Sequence, residues 1–89
     1  MQKCVRMRVY GRVQGVGFRY FTQQVARRLH ICGTVRNLPD SSVEIFAAGA
    51  SENLDEFISA IRQGPAFSRV TDVAMEDCNK TFDTFRVIL

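Results

Sequence analysis

The chain has no tryptophan, a single histidine (His30) and only two prolines among its 89 residues. A lone histidine excludes a two-histidine metal site within one chain, and Cys4, Cys32 and Cys78 show no CxxC-type spacing, so no metal is expected. An odd cysteine count without an export signal predicts free thiols in a reducing compartment. No stretch approaches the roughly 18 unbroken apolar residues of a membrane helix. Nor does a basic start followed by an apolar run mark a signal peptide, and the expected location is the cytoplasm. The two prolines, Pro39 and Pro65, leave long segments uninterrupted between them. A chain this short buries only about 60–65% of its unfolded surface. It has material for one core, so residues 1–89 are expected to form a single domain rather than two lobes around a cleft.

The first 39 residues also lack any Asp or Glu. They carry Lys3, Arg6, Arg8, Arg12, Arg19, Arg27, Arg28 and Arg36, while the remainder sets four basic side chains against nine acidic ones. The modest net charge of +3 therefore conceals a cationic first half. Such a field attracts phosphate metabolites, nucleic acid or acidic lipid alike, and its sign does not choose among them.

The hydrophobic pattern predicts an alternation of strands and helices. Val5, Met7 and Val9 alternate with Arg6, Arg8 and Tyr10 as in a strand with one apolar face. Phe18, Phe21, Val25 and Leu29 recur at helical spacing and predict a helix over about 19–30. Strands are expected over 31–37 and around Val43, Ile45 and Ala47, separated by the turn Leu38-Pro39-Asp40-Ser41. Ser51 is the expected N-cap of a second helix whose stripe is Leu54, Phe57, Ile58 and Ile61 and whose stop is Gly64-Pro65. Strands near 69–76 and 82–88 complete the order βαββαββ. Two helices cover only one face of such a sheet, which predicts an α+β, ferredoxin-like two-layer sandwich with a mostly antiparallel sheet. In its first βαβ unit the two strands run parallel, so the loop after the first strand, the start of the first helix and the end of the second strand share one sheet edge.

That edge holds Gly11-Arg12-Val13-Gln14-Gly15-Val16-Gly17-Phe18-Arg19. Glycines let a ligand approach the backbone amides, consecutive amides can form an anion nest, and a helix N-terminus favours negative charge. Arg19 in the first helical turn opposes the dipole unless an anion lies between them. The segment lacks the Lys-Ser/Thr of a Walker loop, and Tyr20 stands where a dinucleotide fingerprint has its third glycine. A phosphate cradle made by Gln14, Gly15, Val16, Gly17, Phe18 and Arg19 is the favoured reading. At the end of the second predicted strand, Asn37 both donates and accepts, and can hold a water while it contacts a substrate oxygen.

The block GRVQGVGFRYF, with GTVRN following after eleven intervening residues, resembles the acylphosphatase family, and the resemblance extends over essentially the whole chain. It implies a ferredoxin-like fold and hydrolysis of acyl phosphates to carboxylate and inorganic phosphate, with no metal or organic cofactor. Carried over, Arg19 grips the phosphoryl group within the amides of residues 14–19, and Asn37 orients the attacking water. Inorganic phosphate is then both product and competitive ligand. The acyl half is expected to be largely unread, and a monomer without nucleic-acid or membrane partners suffices. One departure is the turn: the family usually has Asp-Gly after its asparagine, whereas here it is Asp40-Ser41-Ser42.

Two other functions fit the same fold. An RNA-recognition module would need stacking aromatics on the open sheet face, where only Tyr10 and Phe46 qualify and Glu44 would repel phosphates. A non-catalytic anion sensor would use the loop without needing Asn37. His30 reads as a packed or dipole-complementing residue, Arg27 and Arg28 as a solvated face, and Phe18, Phe21 and Phe57 as core. Arg6 and Arg8 either pair with acids such as Glu44 or extend the cationic field.

Overall fold

The computed structural model describes residues 1–89. Strand β1 (Gln2–Arg12) leads through a short loop to helix α1 (Phe18–Arg28), then to β2 (Cys32–Asn37) and β3 (Val43–Ala50). Helix α2 (Ser51–Gln63), β4 (Arg69–Asp77) and β5 (Phe85–Ile88) follow. All five strands form one sheet in the order β4-β1-β3-β2-β5. Only the β2–β5 pair is parallel. This is the ferredoxin-like α+β sandwich that the periodicities predict, with the last strand added beside β2. No helix is long and apolar enough to cross a membrane.

The apolar positions account for the layering. Met7, Val9, Val35, Val43, Ile45 and Ala47 occupy alternate strand positions and point to the same face. Phe18, Val25 and Ala26 of α1 and Leu54, Phe57 and Ile61 of α2 close on that face and are buried. Burying one such large side chain contributes about 2 kcal/mol relative to leaving it exposed. Phe21 is only half-buried and packs edge-on against Phe18, with ring centroids 6.0 Å apart.

Several boundaries differ from the sequence expectation for identifiable reasons. Helix α1 stops at Arg28 because Leu29 leaves helical geometry and His30 turns to φ 57°, exposed just beyond the helix. Ser51 is the first residue of α2 rather than its cap: Ala50, in extended geometry, holds the cap position. The amide and hydroxyl of Ser51 instead donate to the Met1 carbonyl at 2.9 and 3.1 Å, continuing the β1–β3 ladder. The last strand begins at Phe85 because residues 78–84 carry the chain from one sheet edge to the other. On that path the Lys80 ammonium sits 4.2 Å from the centre of the Phe46 ring, and Phe82 lies 6.0 Å from it.

The cysteines also depart from expectation. Cys4 and Cys78 are joined as a disulfide, and only Cys32 is free. The β1–β4 register places Val5 opposite Asp77, so Cys4 and Cys78 face each other with Cα atoms 5.1 Å apart, within disulfide reach.

On the open face Glu44 gathers the arginines. Its carboxylate accepts from Arg6 and from Arg36, each at 2.7 Å, and Arg6 also reaches Glu76 at 2.9 Å. Burial alone would raise the Glu44 pKa, but the hydrogen bonds from Arg36 and Arg6 outweigh it and hold the carboxyl below its ordinary value. A depressed folded-state pKa stabilises the fold above the unfolded value of about 4.5 and loses that contribution as pH falls through the folded value. Glu44→Gln is therefore expected to cost about 1 kcal/mol at neutral pH, given half-exposed partners. The difference should shrink below about pH 4. Urea titrations of both proteins across pH check this, and a pH-independent gap contradicts it.

The 38–42 turn joins β2 to β3. Leu38 N–H donates to the Ser42 carbonyl at 2.9 Å, and the Asp40 carboxylate accepts from the Ser42 amide at 3.0 Å and hydroxyl at 2.5 Å. Ser41 adopts φ 76°, the left-handed conformation that the Asp-Gly form of this turn would reach without strain. Ser41→Gly is expected to stabilise the protein by about 1 kcal/mol. An unchanged or lower denaturation midpoint would show that the turn tolerates serine freely.

Candidate active site

The predicted sheet edge is assembled as the topology requires. Because β1 and β2 both run antiparallel to β3, they are parallel to each other, and their carboxyl ends meet the N-terminus of α1. The loop between β1 and α1 is anchored at one end by Val13, which is fully buried. It is anchored on its flank by Gln14, whose side-chain amide donates to the carbonyls of Leu38 and Ser42 at 2.9 and 2.8 Å. The Gln14 side chain thus ties the loop to the 38–42 turn and leaves only its backbone for a ligand.

Gly15 and Gly17 have φ 72° and 77°. A Cβ built on either would meet nothing within 4 Å, so packing does not demand glycine here. The left-handed backbone does, and successive amides in such a turn can form an anion-binding concavity. The amides of residues 14–17 donate to no backbone acceptor and to no side chain. Gly17 is the cap residue of α1, and it supplies no side-chain hydrogen bond to the helix. The first turn contains no acidic residue either. The positive end of the helix is therefore uncompensated.

Arg19 adds a positive charge at that same end. It is half-buried, forms no ion pair with any carboxylate, and donates one long hydrogen bond of 3.4 Å to the Ile88 carbonyl of β5. Asn37 closes β2, and its side chain points to the same face of the sheet as Val35. Its Oδ1 is buried and has no hydrogen-bond partner. A buried, unpaired carbonyl oxygen costs about 1–3 kcal/mol, and a water or ligand donor would remove that cost.

Arg19 and Asn37 line one cavity of about 290 Å³ together with Gly15, Gly17 and Phe18. Of the residues expected in the cradle, Gln14 and Val16 do not line it. Val16 packs instead against the core, so both can contribute only through the main chain. The cavity also includes residues outside the sequence expectation: Val13, Tyr20, Val87 and Leu89. Val87 and Leu89 arrive because β5 pairs in parallel with β2 and ends at the same edge. Tyr20 carried a signal that was legible in the sequence, since an aromatic residue off the apolar stripe of α1 has no core to enter; it is 67% exposed. No group of three or more His, Cys, Asp or Glu side chains is placed to hold a metal ion.

This geometry has close counterparts. The acylphosphatase family model matches residues 5–87. An acylphosphatase of Archaeoglobus fulgidus is 48% identical over 80 residues, covering 89% of this chain and 90% of its own. One of Bacillus licheniformis is 51% identical over 81 residues, covering 91% and 89%. The crystal structure of acylphosphatase from Bacillus subtilis superposes with a TM-score of 0.93 at 38% identity, over the full length of both chains. With loop, helix start and strand end arranged as described, the chain belongs to the acylphosphatase family, hydrolases that cleave acyl phosphates.

Proposed function

We propose that residues 1–89 act as a single unit, a cytoplasmic monomer that binds small acyl phosphates through Arg19 and the backbone amides of residues 14–19. Asn37 orients the water that attacks phosphorus. The unpaired guanidinium of Arg19 beside an uncapped helix end is the observation that carries this reading. Two unopposed positive features facing one cavity repel each other until a dianion lies between them.

The reaction asks little else of the protein. Water attacks the phosphorus in line, the bond from phosphorus to the acyl oxygen breaks, and its electron pair leaves on the carboxylate. A carboxylate is stable without a proton, so no general acid is needed. The proton of the attacking water passes to a phosphoryl oxygen, and the products are carboxylate and inorganic phosphate. Arg19 and the amides stabilise charge on the phosphoryl oxygens, while the Asn37 Oδ1 accepts a hydrogen bond from the water and fixes its lone pair. No step here calls on a metal or organic cofactor. In a reducing cytoplasm Cys4 and Cys78 would stand as a close dithiol. They lie near the start of β1, roughly 26 Å along the strand from its end at Arg12, and take no part in the chemistry.

The open sheet face supports the absence of a nucleic-acid partner. Phe46, one of two aromatics available there, is covered by Lys80 and Phe82, and Glu44 places a carboxylate beside it. The idle-sensor reading leaves the orphaned oxygen of Asn37 without a purpose.

Phosphate release from benzoyl phosphate, followed with a metal chelator present, tests the proposal. Turnover that inorganic phosphate inhibits competitively is expected, together with a phosphate-dependent rise in melting temperature. Absence of turnover, or turnover abolished by the chelator, would overturn it.

A further inference from the structure

We propose that Gln14 is a positioning residue for the hydrolysis: its side chain fixes the spacing between the glycine loop and the end of β2, and so aims the water held by Asn37 at phosphorus. The inference rests on reading Asn37 as the group that orients that water. It gives a second role to a residue that otherwise offers only its backbone amide.

In-line attack has to align two parts that lie apart in the chain, a phosphoryl group on the loop before α1 and a water on Asn37. The Gln14 side chain bridges them. Its Nε2 donates to the Leu38 carbonyl at 2.9 Å, across a separation of 24 residues, and to the Ser42 carbonyl at 2.8 Å. Both donors of the planar amide are thereby used, which fixes direction as well as distance. The same Ser42 carbonyl accepts from Leu38 N–H at 2.9 Å, the amide of the peptide that joins Asn37 to Leu38. Both polar groups of the Leu38 backbone are therefore held relative to Gln14, and Asn37 with them.

No other hydrogen bond joins the loop to the 38–42 turn. The Asn37 Oδ1 has no partner of its own in the protein, so its aim depends on the backbone that carries it. At the other end of the tie, Gly15 turns to φ 72° directly after Gln14. The anchor thus sits at the start of the amides read as the cradle.

The turn does not need these two bonds for its own sake. Ser41 N–H also donates to the Leu38 carbonyl, at 3.1 Å, and Leu38 N–H to that of Ser42. The Asp40 carboxylate braces Ser42 from within the turn. Replacing Gln14 leaves neither carbonyl without a donor, so what is lost is chiefly the spacing. A misplacement of about 1 Å costs on the order of a hundredfold in rate.

The test is the steady-state kinetics of Gln14→Met, which keeps the length and removes both donors. The kcat for benzoyl phosphate is expected to fall about ten- to a hundredfold. KM and the competitive inhibition constant of inorganic phosphate should stay within about threefold, because the backbone amides and Arg19 remain. Gln14→Glu, with the same shape and no hydrogen to donate to the two carbonyls, should lose at least as much and serves if Gln14→Met folds poorly. In the Asn37→Ala background Gln14→Met should slow turnover by no more than about threefold, since the group it positions is gone. A merely structural residue would lower both backgrounds alike. Wild-type kcat in folded Gln14→Met and Gln14→Glu overturns the proposal, as do multiplied losses in the double variant. A matching fall in phosphate affinity overturns it too, because Gln14 would then shape the cradle rather than aim the water. Each of these leaves the phosphoryl reading intact. No turnover by the wild-type protein, or full activity in Asn37→Ala, overturns the reading itself and the role of Gln14 with it.

Discussion

Arg19→Ala is expected to lower kcat/KM for benzoyl phosphate by about a thousandfold and to abolish the thermal shift produced by inorganic phosphate. Removing one positioned donor to a developing oxyanion already costs about a hundred- to a thousandfold, and Arg19 supplies a charged fork rather than a single neutral donor. Arg19→Lys keeps the charge but not the planar pair of donors, so a loss of at least about tenfold should remain. The fold should not suffer. Arg19 makes one 3.4 Å hydrogen bond and no ion pair, and its charge opposes the α1 dipole. The alanine variant should therefore melt at or slightly above the wild-type temperature in phosphate-free buffer. Full activity in a folded Arg19→Ala protein would remove the residue from the mechanism.

Asn37→Ala is expected to act differently, lowering kcat at least about a hundredfold while KM changes only a few-fold. A group that positions the water contributes in the transition state rather than to ground-state binding of the phosphoryl group. Asn37→Asp should fail as well, since a carboxylate cannot donate and would place negative charge beside the phosphoryl oxygens. Stability offers a second readout. The Oδ1 of Asn37 is buried without a partner, so its removal takes away a cost rather than a contact. A variant that is inactive yet at least as stable as the wild type matches the assignment. Loss of activity in step with loss of structure would make Asn37 a structural residue instead.

Much of this site was legible before the fold was known, because its parts are local. The glycines, the start of α1 and Arg19 lie within one short segment, and the βαβ rule brings the end of β2 beside them. The helical stripe of α2 and the alternation in β1 and β3 were equally plain, since each is a property of neighbouring residues. Local pattern misleads where a group's partner is distant in the chain. Ser51 has the composition of a cap, but the Met1 carbonyl, fifty residues away, claims its hydroxyl. Nothing in the segment around Ser51 foretells that.

By itself, then, the sequence determined the order and period of the elements, the ferredoxin-like sandwich, and the pairing of a glycine loop with Arg19 and Asn37. These follow from chain stereochemistry and from the handedness of a βαβ crossover, which act over short stretches. Only the tertiary structure decided that β5 lies beside β2 and brings Val87 and Leu89 to the cavity, and that Arg19 reaches a carbonyl 69 residues away. It alone set Cys4 against Cys78 across a separation of 74 residues, and it alone left the Asn37 oxygen buried and unpaired. The physical reason is common to all four. Each depends on which distant surfaces the packing of helices against one sheet face brings into contact, and no local pattern encodes which atoms that packing leaves without a partner.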